Sequence, residues 1–196
     1  MTKQTLDIVD FLKLMLDALK AAHVDYLIGG AIAEWAWGEP RATQDIDIVI
    51  NLPIGSIQKF SKELEKRDML VPAEIILGTI LEDRADIPIN AIHMHSGFKA
   101  DLYPVRQGDE LRLSAFQRRQ RVDYGPPIGR VYVHSPEDLI LYKLLYFSIS
   151  QQPKHSRDIA AILQAKKKQI DLVYIQEWVT RLGLSSLWKE LLSSAE

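Results

Sequence analysis

Two aspartates separated by one residue, Asp45 and Asp47, open the run Asp45-Ile46-Asp47-Ile48-Val49-Ile50. The polar and apolar alternation predicts a β-strand, in which side chains at i and i+2 share a face. The two carboxylates then stand side by side, roughly 7 Å apart along the backbone. Ile46, Ile48 and Ile50 fill the opposite face. Like charges so placed repel unless a cation lies between them. Hard divalent ions such as magnesium take oxygen ligands of this kind and also accept phosphate oxygens. Two-metal phosphoryl or nucleotidyl transfer, with ions about 3.5–4 Å apart, uses such a pair.

A second feature lies just upstream. The apolar run Tyr26-Leu27-Ile28 ends in Gly29-Gly30, and a helix-like segment follows and stops at Gly38, where a left-handed C-cap is expected. Without Cβ atoms, two consecutive N–H groups can approach an anion closely, and a helix N-terminus favours phosphate. A phosphate cradle followed by a carboxylate pair points to a nucleoside triphosphate. Each feature alone has an ordinary reading: a Gly-Gly is often only a turn, and an Asp-x-Asp is often a solvated strand edge. The unbroken apolar face of this strand argues instead for a central strand.

A third acid is sought on a neighbouring strand, and Lys99-Ala100-Asp101-Leu102-Tyr103-Pro104-Val105 supplies Asp101. An acid within a short, mostly apolar strand is unusual unless it has a partner. Gly97 allows a hairpin with the strand before it. Asp86, beside a turn, is a weaker candidate. His93 and His95 also share a strand face and suit a transition metal, but a sheet-surface role is the simpler reading.

Gly29-Gly30 followed by Arg41-x-Thr43-x-Asp45-x-Asp47 resembles the signature of nucleotidyltransferases of the DNA polymerase β superfamily. The resemblance is nearest to the small bacterial branch that includes AbiEii-type toxin nucleotidyltransferases and antibiotic nucleotidyltransferases. It implies a metal-dependent enzyme that moves a nucleoside monophosphate from a triphosphate to an acceptor hydroxyl and releases pyrophosphate. Under it, Asp45 and Asp47 hold two magnesium ions. Asp101 resembles the superfamily's third carboxylate, which binds one ion and takes the acceptor's proton. Gly29, Gly30, Arg41, Thr43 and Lys143 are the implied substrate-binding residues. The acceptor is tRNA or another RNA in a toxin-like enzyme, in which case an antitoxin partner is expected. Transfer to an aminoglycoside-like antibiotic or to a protein, and a non-catalytic nucleotide-binding regulator, are the alternatives.

These residues need elements to position them. Ile8, Phe11, Leu12, Met15, Leu19 and Ala22 recur at helical spacing within Leu6 to Ala22, opposite Asp7, Asp10, Asp17 and Lys20. Val24 to Ile28 is a first strand. Trp35 and Trp37 in the helix after Gly30 are expected as a buried pair. Ile57, Phe60, Ser61 and Leu64 mark a further helix after Pro53. Glu74 to Ile80 and Ile87 to His95 are expected as strands around a turn at Glu82-Asp83-Arg84. Arg112, Arg118, Arg119 and Arg121 form a basic stretch that is either a solvated face or a phosphate-rich acceptor's contact. Arg130 to Val133 is the last expected strand.

Ser135-Pro136-Glu137-Asp138 is a strong helix start: serine at the N-cap, proline at the first position, acids in the first turn. Lys143 falls inside that helix's apolar stripe, so it either snorkels to water or meets an anion. Arg157-Asp158 is expected to brace the next helix to the core before it contacts substrate. Lys166-Lys167-Lys168 is a solvated helix end, and helices over Leu172 to Leu182 and Leu184 to Leu192 close the chain.

The expected fold is therefore α/β (α+β): a mixed sheet flanked by helices over residues 1–134, then a helical part over residues 135–196. The 196 residues carry 47% hydrophobic and 26% charged side chains, a globular balance. A net charge of −2 argues against a nonspecific nucleic-acid coat. There is no cysteine, hence neither disulfides nor zinc–thiolate sites. No signal peptide and no apolar run of spanning length is visible, so a cytoplasmic protein is the expectation.

Overall fold

Alternation decides the central strand. Ile46, Ile48 and Ile50 are fully buried, while Asp45 and Asp47 share the other face of β2, Asp45–Asn51. The computed structural model describes residues 6–82, 84, 86–166 and 169–194. Asp83, Lys167 and Lys168, which belong to the expected turn and helix end, lie outside the described residues.

β2 is flanked by β1 (Asp25–Ile28), antiparallel to it, and by β4 (Lys99–Pro104), parallel to it. β3 (Ile89–Ile92) joins β4 as the expected hairpin, with Gly97 in the turn at φ +74°. β5 (Gln120–Asp123) and β6 (Arg130–Val133) form a second hairpin that attaches through β6 to β1. The six-stranded mixed sheet has the order β3-β4-β2-β1-β6-β5.

The apolar face of the sheet is covered mainly by helix α1 (Ile8–Ala22) and helix α3 (Ile57–Glu65). Asp7 caps α1, accepting from the backbone N–H groups of Val9 and Asp10. Phe11, Leu12, Met15 and Leu19 of α1 are fully buried, each stabilising by about 1.5–3 kcal/mol. Helix α2 (Gly30–Trp37) follows β1 directly.

Among the described residues, four helices run from Pro136 onwards. They are α6 (Pro136–Ser150), α7 (Pro153–Lys166), α8 (Leu172–Arg181) and α9 (Ser185–Ser194). Ser135 caps α6 as its sequence requires, its hydroxyl accepting from Asp138 N–H at 3.1 Å. α6 packs against α7 and α8, and both α6 and α7 reach α2. No helix among the described residues is long and apolar enough to cross a membrane.

Several expectations give way. Residues 74–80 are not a strand: α4 (Ala73–Leu81) is a helix, with Ile75, Leu77 and Leu81 on its exposed side. Apolar residues on both sides of a surface helix hide its period. Glu110–Gln117, to which the sequence reading assigned no element, forms helix α5 and holds Arg112 of the basic stretch. Gly38 is extended (φ −140°) and does not form a left-handed cap. Trp35 and Trp37, two apart on a helix, do not pair. Trp35 packs on Tyr124, and Trp37 Nε1 donates to the His134 carbonyl at 2.6 Å.

Candidate active site

The β2–β4 register sets the acids together. Asp47 is directly opposite Asp101, and Asp45 is opposite Lys99. Parallel neighbours in register present their side chains to the same face. Asp45, Asp47, Lys99, Asp101 and Tyr103 thus share the side of the sheet away from the isoleucine core. Lys99 Nζ lies 2.8 Å from Asp101 Oδ2 and 3.8 Å from Asp45 Oδ1, so an ammonium bridges two of the acids.

Gly30 makes room for this group. Its φ is +54°, and a Cβ there would fall 1.9 Å from Asp47 Oδ2. The carboxylate therefore sits directly over the first residue of α2. Gly29 differs from expectation. Its N–H is spent on the Asp47 carbonyl at 2.8 Å, so it is not open to an anion. The start of α2 itself has no side-chain cap, and its first N–H groups have no intrahelical partner.

Asp47 is half-buried beside two other carboxylates. Burial first, then Asp101 and Asp45, push its pKa up to about 6, against a smaller pull downwards from Lys99 and Arg41. Asp101 Oδ1 is buried without a hydrogen-bond partner. Among the described residues, no three His, Cys, Asp or Glu side chains already converge into a metal-holding group. The donors nevertheless fit a hard cation: all are carboxylates, one has an orphaned buried oxygen, and Lys99 already stands as a cation between two of them.

The acids open into a cleft of about 390 Å³. Its lining includes Gly29, Gly30, Arg41, Thr43, Asp45, Asp47, Asp101 and Lys143, the eight residues that the resemblance implies as metal ligands and substrate contacts. Two have structural duties. Thr43 Oγ1 donates to the Asp45 carbonyl at 2.9 Å and accepts from its N–H at 3.2 Å, fixing the entry to β2. Lys143, only 4% exposed, pairs with Glu34 of α2 and with Asp158 of α7. It neither snorkels nor stands as an unpaired cation. Arg41 Nε lies 3.5 Å from Glu34 and 3.6 Å from Asp158, closing a four-membered charge network. Asp158 is thus the expected brace, whereas Arg157 is exposed.

The sequence reading missed Glu34 and His134. Glu34 lay in a helix with no obvious period. His134, at the end of β6, lines the cleft and is stacked on Tyr142, ring centroids 5.0 Å apart. Tyr103 and Tyr146 extend this aromatic wall, and Lys154 and His155 reach the rim.

Asp86, His93 and His95 do not line the cleft, whereas Arg112 does. Asp86 is exposed and paired with Arg84 at 2.9 Å. β3 ends before His93, which is buried with Nδ1 bonded to Ser96 Oγ at 2.9 Å. His95 is exposed, 3.7 Å from Asp68. Three of the four arginines of the basic stretch are engaged in the fold, while Arg121 on β5 is exposed. Arg112 is buried against Asp109, Arg118 pairs with Glu137 and Asp138 over the Tyr174 ring, and Arg119 lies over Phe116 and Tyr132.

No family model matches this chain. No curated protein matches it significantly in sequence. Solved structures match it in fold. One is ANT(2'')-Ia in complex with adenylyl-2''-tobramycin: 17% identity, TM-score 0.60, covering 92% of this chain and 98% of that one. This chain has the nucleotidyltransferase fold. A second neighbour is an antigenic nucleotidyltransferase-like protein from Paracoccidioides brasiliensis, at 17% identity and TM-score 0.56, covering 94% of this chain and 90% of that one. A third is the lincosamide antibiotic adenylyltransferase LnuA with lincomycin bound, at 15% identity and TM-score 0.52, covering 81% of this chain and 98% of its own. The mixed sheet with flanking helices expected from the sequence is thus the fold observed.

Proposed function

We propose that the chain is a nucleotidyltransferase that moves a nucleoside monophosphate from a nucleoside triphosphate to an acceptor hydroxyl, with release of pyrophosphate. The observation that carries this is the facing of Asp47 and Asp101 across β2 and β4, beside the uncapped start of α2. Asp45, Asp47 and Asp101 would hold two magnesium ions. Bound magnesium supplies neutralisation of charge on the transferring phosphate. The start of α2 at Gly30 orients the phosphates through its N–H groups, and Arg41 adds positive charge at the cleft wall. Asp101, with its unpartnered oxygen, accepts the proton of the attacking hydroxyl.

For the acceptor, a small molecule is the better-supported class. The cleft has the volume of a small-ligand site. Three of the four arginines in the basic stretch are engaged in the fold, and Arg121 on β5 is exposed. Structural neighbours carry an adenylylated tobramycin and lincomycin. Transfer to RNA, with an antitoxin partner, and transfer to protein are the competing outcomes. The test incubates the protein with each α-labelled triphosphate, magnesium, and in turn antibiotics, bulk RNA or cell extract. Label in a small-molecule product supports this reading; label in RNA or protein reassigns the acceptor. No label with any acceptor defeats the enzymatic assignment and leaves a nucleotide-binding regulator, whereas label undiminished in Asp45→Asn/Asp47→Asn defeats the assignment of the site.

A further inference from the structure

His134 is 4% exposed, and both its ring nitrogens lack any hydrogen-bond partner. A buried polar pair left unsatisfied costs free energy and calls for an explanation. The ring's position is tightly fixed. Its backbone N–H donates to the Ile28 carbonyl at 2.9 Å and its carbonyl accepts from Trp37 Nε1. Tyr142 stacks on one side of it. On another lies Gly29, where a Cβ would come within 3.0 Å of Nδ1 and Cε1. Gly29 is the N-cap of α2, so the Nδ1 side of this ring borders the uncapped helix start.

The protonation state follows from burial. Loss of solvent, helped by the charge of Arg112, pushes the imidazole pKa down to about 3, so the ring is neutral. A neutral imidazole offers one N–H donor and one acceptor. A donor beside a helix N-terminus, in the positive field of a buried arginine, suits an oxyanion.

We propose that His134 is a nucleotide-binding residue whose ring N–H donates to a phosphate oxygen of the triphosphate seated at the start of α2. This rests on the nucleotidyl-transfer reading and adds to it a ligand that no spacing motif marks. The Gly29-Gly30 pair then has two separate uses. Gly30 clears space for Asp47, and Gly29 clears space for His134.

The probe is inorganic tripolyphosphate with magnesium, which has no base or sugar, titrated calorimetrically into the full chain. His134→Phe keeps the stack on Tyr142 and removes both nitrogens. It should weaken tripolyphosphate binding about tenfold or more, as expected for one hydrogen bond to a charged group, with unchanged or higher thermal stability. His134→Asn, whose amide nitrogen can take the Nδ1 position, should bind within about threefold of the parent. In the parent protein, the imidazole ¹⁵N signal absent from His134→Asn should shift when tripolyphosphate is added. That readout stands even if the Phe variant fails to fold.

Equal binding by the parent and His134→Phe, or an unmoved ¹⁵N signal in saturated protein, overturns the His134 assignment and leaves the nucleotide reading intact. Loss confined to nucleosides, with tripolyphosphate unaffected, overturns the phosphate contact in favour of a base or ribose contact. If the parent binds neither tripolyphosphate nor any of the four triphosphates, the nucleotide reading itself falls, and this inference with it.

Discussion

Asp47 and Asp101 face each other in register on adjacent parallel strands, and Asp47 is held protonated well above the ordinary aspartate range, to about pH 6. Burial leads, and the two neighbouring carboxylates add to it. The folded-state pKa is raised, so ionisation opposes folding. In protein stripped of divalent ions, the penalty is absent below about pH 4 and grows as pH rises through 6. Asp47→Asn removes it. The expected result in chelator is that the variant melts higher than the parent at pH 7–8 and that the gap closes towards pH 4. A gap independent of pH would assign the effect to packing alone. The same variant should lose label transfer by at least about a thousandfold.

Lys99 occupies the ground between Asp101 and Asp45 that a cation would otherwise take. Lys99→Met removes this competitor and leaves the acids uncompensated. Manganese, titrated by its electron-spin signal as a stand-in for magnesium, should bind the variant several times more tightly than the parent. Weaker binding would make Lys99 a support for the metal site and not its rival.

Gly30 is under two constraints, a left-handed φ of +54° and Asp47 Oδ2 at 1.9 Å from the position of an added Cβ. Gly30→Ala should cost about 1–2 kcal/mol of stability from backbone strain alone. It should also displace Asp47 and lower label transfer at least about a hundredfold. Gly78, inside α4 with nothing near its own Cβ position, is the control. Gly78→Ala should stabilise by about 0.5–1 kcal/mol and leave transfer unchanged, as measured by thermal unfolding and the same label assay.

What could be foreseen follows from how local each signal is. Asp45 and Asp47 declare their shared face through a two-residue period, and the Ser135-Pro136 start of α6 is written in four consecutive residues. Asp101 was accessible because a lone acid in an apolar strand is rare. α4 was misjudged because Ile75, Leu77 and Leu81 project outwards and blur the helical period. Glu34 and His134 carried no local signal at all. Their environments are made by Lys143 and by Gly29, about a hundred residues away in each case, so only the folded chain brings them together. The Gly29 N–H is the reverse case. Its sequence context offered it to an anion, and the Asp47 carbonyl of the neighbouring strand claimed it.

Lys143 separates a structural role from a substrate role. Its ammonium is buried between Glu34 and Asp158, and burial lowers its pKa while Asp158 pulls it back up. Lys143→Met leaves two buried carboxylates with only Arg41, itself 3.5 Å and 3.6 Å from them. Removing one partner of a buried pair costs about 3–5 kcal/mol, and the remaining arginine favours the lower end. For a domain of this size that is a fall of roughly 10 °C in Tm. Adding Glu34→Gln and Asp158→Asn removes the stranded charge, so the triple variant should regain most of the lost stability. The two roles then part. If the triple variant melts near the parent and binds triphosphate normally, Lys143 is a brace that joins α2, α6 and α7 behind the site. If stability returns but triphosphate binding stays weak, its ammonium also reaches the nucleotide.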